Sequence, residues 1–232
     1  MQRSSAEVGI DETVEGRSAS AVVADALRAA ILRGAVAEGE RLRQDAIAAR
    51  FGVSQMIVRE AFRQLTHEGF LAAEPRRGVS VAPMSAAEAD EMTELRSAIE
   101  ARALAWAIPN MREADIDGAG RILAELDKAK STDRIIALNA RFHAALYAPA
   151  RRERTSRLIA TLRLNFERYL RFAWEETRHL DQSQREHRQI LERCRNRDVD
   201  GACALLQRHI AATGVLLVQR LKARADENGL TP

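Results

Sequence analysis

Residues 42–82, LRQDAIAARFGVSQMIVREAFRQLTHEGFLAAEPRRGVSVA, lay out a helix, a tight turn, a second helix and a basic β-hairpin. Ala46, Ile47, Ala48 and Phe51 supply the apolar face of the first helix, and Gly52 ends it, since glycine takes a left-handed helix stop without steric cost. Ser54 caps the next helix, its hydroxyl accepting from backbone N–H groups two or three residues on. Val58, Ala61, Phe62 and Leu65 recur at spacings of three and four, which gives one buried stripe and leaves Gln55, Met56, Arg59 and Arg63 on other faces. Phe70, Leu71 and Ala72, then Val79, Ser80 and Val81, read as two strands, with Glu74, Pro75, Arg76, Arg77 and Gly78 turning between them. Upstream, residues 18–33 form an amphipathic helix with Val22, Ala26, Leu27, Ala30 and Ile31 on one side. Three helices and a hairpin in this order predict a winged helix-turn-helix. Its exposed, polar second-helix start suits the DNA major groove, and two arginines at a hairpin tip suit phosphate or a narrow minor groove.

After Pro83 the strand character disappears. Ser85 and Glu88 form a capping box opening a long helix to about residue 107, along which Met92, Leu95, Ile99 and Leu104 recur. Further helical patterns cover about 113–129, 131–147, 153–176, 183–196 and 199–224. The fold class is therefore mainly α: a winged head followed by an antiparallel all-α bundle of about six helices. The expected organisation is a mobile tail over 1–17, the head over 18–84, the bundle over 85–225 and a tail over 226–232.

The chain has 232 residues and a net charge of only +3, so it is not a general polycation. Within 18–84 nine arginines face seven acidic residues, a local excess that makes a patch rather than a basic body. No apolar run approaches the roughly 20 residues needed to cross a bilayer and the N-terminus carries no apolar signal core, so a cytoplasmic protein is expected. Cys194 and Cys203 lack CxxC spacing and read as reduced thiols.

Three of the five histidines fall inside bundle helices: His143, His187 and His209. Asn139 precedes His143 by four residues, which puts the two side chains on one helical face. Such a pair with two more imidazoles from separate helices can surround one divalent cation, although a histidine among apolar neighbours is more often a satisfied core residue.

The stretch GVSQMIVREAFRQLTHEGF followed by PRRGVSV resembles the DNA-binding domain of the GntR family of bacterial transcription regulators. The resemblance places Ser54, Gln55, Ile57 and Arg59 where the recognition helix touches DNA, and Gly78 where the wing tip, with Arg76 and Arg77, approaches the backbone. Where the family commonly shows Ser-Arg-Thr-Pro, this chain has Ser54, Gln55, Met56 and Ile57. Glutamine pairs better with adenine than with guanine, so the operator should differ from the common one at that base. Gln44 and Asp45 stand near where some relatives carry an arginine, which leaves Arg43 or Arg50 for that contact.

The bundle resembles the ligand-sensing FCD domain of the FadR-type branch, on ELRSAIEARA, NARFHAAL, EHRQIL and RDVDGACALLQRHI. Metal-binding members carry Asp-x-x-x-His on one helix and single histidines on the last two, which implies a metal set of Asn139, His143, His187 and His209. Zinc is the first choice of cofactor, with nickel and manganese as alternatives. Asn139 replaces the usual aspartate and adds no charge, so a divalent ion with three neutral imidazoles would leave the site near about +2, favouring a small carboxylate effector. By the same resemblance Arg96 grips that carboxylate; a surface ion pair with Glu100, one turn away, is the alternative. Asn165, Arg168 and Tyr169 could add polar contacts from the fourth bundle helix. The implied partners are double-stranded DNA with a palindromic operator, a small carboxylate and a second copy of the chain as homodimer.

An enzyme is the rival class. Glu176 and His179 form a single ExxH, but a di-iron bundle needs a second one and two further glutamates. A nucleophile elbow, a glycine-rich phosphate loop and HExxH are absent from the sequence. A purely structural metal is the other alternative.

Overall fold

The computed structural model describes residues 18–74, 78–176 and 180–227. The expected tail over 1–17, the hairpin-tip residues Arg76 and Arg77, and His179 of the ExxH lie outside these residues. The head comprises α1 (Ala19–Leu32), β1 (Arg41–Leu42), α2 (Gln44–Phe51), α3 (Gln55–His67), β2 (Leu71–Glu74) and β3 (Gly78–Val81). Its sheet has the order β1-β3-β2, both pairings antiparallel, with Glu74 opposite Gly78 at the hairpin end and Arg41 opposite Ser80. The two-residue β1 was not expected from sequence; it is too short to carry any alternation. Gly78 adopts φ +88°, a left-handed geometry that a side chain would strain, where the chain re-enters the sheet.

The stripe of α3 is as read: Val58, Ala61, Phe62 and Leu65 are buried against Val23, Ala24, Leu27 and Ile31 of α1 and Phe70, Leu71 and Val81 of the sheet. The face of α1 is rotated from the expected one. Val22 is 48% exposed, and Val23 and Ala24 take the inward positions because they share a side with Leu27 and Ile31 at four- and three-residue steps. Ala46 is likewise exposed, leaving Ala48, Ile47 and Phe51 as the packing face of α2.

The bundle consists of α4 (Ala86–Ala107), α5 (Glu113–Leu126), α6 (Thr132–Tyr147), α7 (Glu153–Glu176), α8 (Leu180–Arg195) and α9 (Val199–Glu227). The expected tail from 226 is corrected, since Asp226 and Glu227 continue α9. Its main core joins Leu104, Ile108, Leu138, Phe142, Leu146, Ile190, Leu206 and Ile210 from five segments. Helices α4 and α9 cross so closely that a Cβ on Gly214 would lie 2.3 Å from Thr93 Cγ2. Helix α9 is long and apolar enough by composition to cross a membrane, which departs from the sequence reading; Leu206, Ile210, Leu217 and Leu221 are instead buried in this protein's own core.

Only half of the expected capping box forms at α4. Ser85 Oγ accepts from Glu88 N at 2.9 Å, but Ser85 N donates to Tyr169 Oη and the Glu88 carboxylate is taken by the same hydroxyl, at 2.6 Å. A residue of α7 thereby ties the joint between head and bundle. Arg168, also on α7, donates to the carbonyls of Ala82 and Pro83 at 2.8 and 3.1 Å. Glu38 of the head accepts from Met84 N and from Arg224 of α9.

Candidate DNA interface and buried histidine centre

Ser54 caps α3, its Oγ accepting from Ile57 N, and the first turn presents Gln55, Met56 and Arg59 to solvent. Met56 is 70% exposed and sequence reasoning did not single it out as a contact. Ile57, expected at the DNA face, turns partly inward and packs on the core of the head. Arg43 is exposed and forks onto Asp45 at 3.2 and 2.7 Å, a surface pair that holds the aspartate down to about 2. Arg50 is exposed with no such partner among the described residues, and Gly78 is exposed at the base of the wing. The exposed first turn of a helix, with amide, thioether and guanidinium side chains, has the chemistry to meet base edges in the major groove.

In the bundle, His143 of α6, His187 of α8 and His209 of α9 converge although 22 to 44 residues separate the bonded pairs. His187 Nε2 lies 3.2 Å from His143 Nε2 and 3.1 Å from His209 Nε2. Around a tetrahedral zinc with bonds of about 2.0–2.1 Å, neighbouring nitrogens stand roughly 3.3–3.4 Å apart, so the spacing fits such an ion. The outer nitrogens are held as well: His187 Nδ1 meets Gln184 Oε1 at 2.9 Å and His209 Nδ1 meets Glu186 Oε2 at 2.7 Å. Both oxygens are acceptors, so each ring donates outward through Nδ1, and His187, kept neutral by burial, turns its Nε2 lone pair inward. Burial holds His143 and His187 well below the usual histidine range, the Arg163 charge adding to this for His143 and His209 for His187, so both stay neutral and ready to ligate. Phe142 packs its ring 4.9 Å from His187 and excludes water from that side.

Asn139 is buried one turn before His143 and lines a cavity of about 480 Å³ between α6 and α7. The three imidazoles are not among its lining residues; Tyr147, which lines it, meets His143 Nδ1 through its hydroxyl at 3.1 Å. Most of the wall is apolar, with Ile136, Ile159, Leu164 and Leu170 among its residues. Arg96 pairs with Glu100, Nε to Oε1 at 2.7 Å, in the interior and not at the surface as the alternative had it, and its guanidinium also stacks 4.5 Å from the Phe166 ring and faces the cavity. Arg163, which sequence reasoning missed, donates to Glu100 Oε2 at 2.8 Å and keeps a buried Nε without a hydrogen-bond partner among the described residues. Burial acts to raise the Glu100 carboxyl, but the two guanidinia and the Tyr147 hydroxyl outweigh it and hold the group below its usual range. Two guanidinia against one carboxylate leave one positive charge beside an apolar cavity. That composition can receive an anion with an apolar body.

Asn165 and Arg168 do not join this set. The Asn165 side-chain oxygen is buried without a hydrogen-bond partner among the described residues, and Arg168 is turned to the joint, where the Ala82 and Pro83 carbonyls occupy it. Helical periodicity explains the difference, because positions 163, 167 and 170 share the cavity side of α7 and position 168 lies on another.

Residues 19–81 match the model of bacterial regulatory proteins of the gntR family, and residues 91–212 match that of the FCD domain. A GntR-family transcriptional regulator from Pseudomonas syringae pv. tomato, known as a crystal structure, is 33% identical and covers 88% of each chain, with a TM-score of 0.55. The HTH-type transcriptional regulator YdhC of Bacillus subtilis is 29% identical over 182 residues, 76% of this chain and 80% of its own. A probable D-xylose utilization operon transcriptional repressor of Paenarthrobacter nicotinovorans is 29% identical over 201 residues, 86% of this chain and 85% of its own. With a winged head that matches one model and a helical bundle that matches the other, the chain belongs to the GntR family of DNA-binding transcriptional regulators, in the group that carries an FCD domain.

Proposed function

We propose that this regulator represses transcription as a homodimer from a palindromic operator and responds to a small organic acid bound beside a divalent metal. The carrying observation is the convergence of three Nε2 atoms next to a cavity whose polar floor is Arg96, Arg163 and Asn139. In this reading the head over 18–84 binds DNA through Ser54, Gln55, Met56 and Arg59 on α3, Arg43 before α2, and the wing at Gly78 with Arg76 and Arg77. The bundle over 85–225 senses the ligand, and the protein works in the cytoplasm. His143, His187, His209 and Asn139 hold the metal, zinc first and nickel or manganese next. When bound, the ion supplies positive charge that a carboxylate can complete, while Arg96 and Arg163 orient that carboxylate and the apolar wall takes the rest of the ligand.

Leu95 on α4 and Val215 on α9 are about half exposed on two helices that pack together, a surface that suits a helix contact with a second copy. Repression is supported by the description of the Paenarthrobacter nicotinovorans relative.

Gel shifts on the DNA upstream of the protein's own gene test this reading. Arg59→Ala should weaken binding by about 5- to 150-fold, the value of one good base contact. A panel of small carboxylates should contain at least one that changes the affinity of zinc-loaded wild type and not that of Arg163→Met. Retention of full affinity by Arg59→Ala removes the proposed recognition helix; a panel with no effect removes the organic acid.

A further inference from the structure

His187 and His209 meet acceptor oxygens, Gln184 Oε1 and Glu186 Oε2, at their outer nitrogens, but the outer partner of His143 is a hydroxyl, which can accept or donate. The difference decides what the cluster is. If His143 carried its proton on Nε2, that proton would sit in the 3.2 Å gap to His187 Nε2, and the pair would be an ordinary hydrogen bond between core histidines. If it carried the proton on Nδ1, three lone pairs would face one another with nothing between them, an arrangement that calls for a cation.

The neighbours of Tyr147 settle the direction. Tyr147 Oη lies 2.8 Å from Glu100 Oε2 and 3.1 Å from His143 Nδ1. Glu100 is fully buried and accepts from Arg96 on one oxygen and Arg163 on the other. Flanked by two guanidinia it stays ionised and offers no proton, so the single Tyr147 proton goes to Glu100. The tyrosine oxygen then has only lone pairs left for His143, and His143 must donate through Nδ1. We infer that Tyr147, aligned by Glu100, is a positioning residue that locks His143 with its Nε2 lone pair inward and so turns a histidine cluster into a three-imidazole cation site. This rests on the metal reading proposed above. Glu100 thereby acts in two places, because the carboxylate that sets the tyrosine is the one held by both cavity-lining arginines, and the ligand cavity and the ion site share it.

The test uses the full-length protein and zinc as the probe. Long-range nitrogen-edited NMR of the imidazole rings, on metal-free wild type, should show His143 protonated at Nδ1; in Tyr147→Phe the ring should shift towards Nε2 protonation. Competition with a chromophoric chelator should give a zinc affinity about 10- to 100-fold lower for Tyr147→Phe, the usual effect of losing an outer-shell partner. A cooperative melt of metal-free Tyr147→Phe with wild-type circular dichroism below the transition excludes general unfolding as the cause. Nε2 protonation of His143 in metal-free wild type overturns the inference without any variant. Wild type that binds zinc together with a Tyr147→Phe variant within twofold of it overturns the inference alone. Wild type that binds no zinc overturns the metal reading and the inference with it.

Discussion

Substituting His187 by alanine separates a metal ligand from a core histidine, because the two roles respond differently to zinc. His187 is the middle ring: its Nε2 lies within 3.2 Å of both other Nε2 atoms, so its loss leaves two imidazoles. At zinc a thousandfold above its dissociation constant, wild type gains RT ln 1000, about 4 kcal/mol. For a protein of this size that raises the melting temperature by about 8–16 °C. If the variant's dissociation constant rises to the zinc concentration used, the gain shrinks to RT ln 2, about 0.4 kcal/mol, or about 1 °C. The cavity left by the missing ring costs the variant stability with and without zinc, so it cancels when each protein is compared with itself. Thermal unfolding followed by circular dichroism, with excess zinc and after chelation, measures the two shifts. A variant that keeps most of the wild-type zinc shift would refute the assignment of His187, and equal melting temperatures of wild type in both conditions would refute the ion.

Gly214→Ala should lower stability by about 1–3 kcal/mol, because the new methyl meets Thr93 on the facing helix at 2.3 Å and both backbones are fixed in long helices; denaturant unfolding reads this. Thr93→Ala in the same chain should recover part of the loss. The Tyr169 hydroxyl, buried and donating to Glu88, is pushed up to about 12, so the folded state keeps a proton that the unfolded chain releases near pH 10. Its contribution is complete below pH 10 and is lost as pH rises towards 12, and Tyr169→Phe should flatten the fall in stability over that window. Arg168→Met keeps an unbranched apolar stem but removes both linker hydrogen bonds, so amide exchange over residues 82–85 should quicken by tenfold or more, as mass spectrometry of exchanged peptides would show. An unchanged exchange rate there would mean that the linker is held by other contacts.

What could be read from sequence was local. Ser18, Ser54, Ser85 and Ser131 each cap a helix by accepting from the N–H three residues on, and such signals sit within one turn of the element they start. The three histidines were legible by residue type and by the i, i+4 spacing of Asn139 and His143. Their outer partners were not. Tyr147 reaches Glu100 across 47 positions and Arg163 reaches it across 63, distances over which no periodicity informs. Glu100 entered the sequence reading only as a surface partner for Arg96, since a charged residue in a helix is normally solvated; two arginines and a tyrosine offset the cost of its burial. The misplaced face of α1 has a similar origin. Val22 and Val23 are chemically alike, and only the packing of α3 against α1 selects between them.

Helix α7 connects the two halves of the molecule physically, and the magnitudes show that a small movement is enough. Leu164 lines the cavity and also packs on the core of the head, while Arg163 and Leu170 face the cavity and Arg168 holds the linker. A hydrogen bond from a guanidinium contributes about 1.5–3 kcal/mol. Coupling between an effector and a DNA site is typically about 1–3 kcal/mol, a 5- to 150-fold change in affinity. A ligand that pulls Arg163 from Glu100 and shifts α7 until one of the two Arg168 bonds, now 2.8 and 3.1 Å, passes beyond hydrogen-bonding distance would therefore change the stability of the joint by an amount of the size that such coupling requires. The same shift would leave most of the bundle core in place, because Leu138, Phe142, Ile190 and Leu206 belong to α6, α8 and α9, and among the described residues of that core Ile159 alone belongs to α7. Sensing by this route would need no rearrangement of the fold, only the transfer of one guanidinium from an internal carboxylate to an external one and a small shift of α7 that breaks a linker bond.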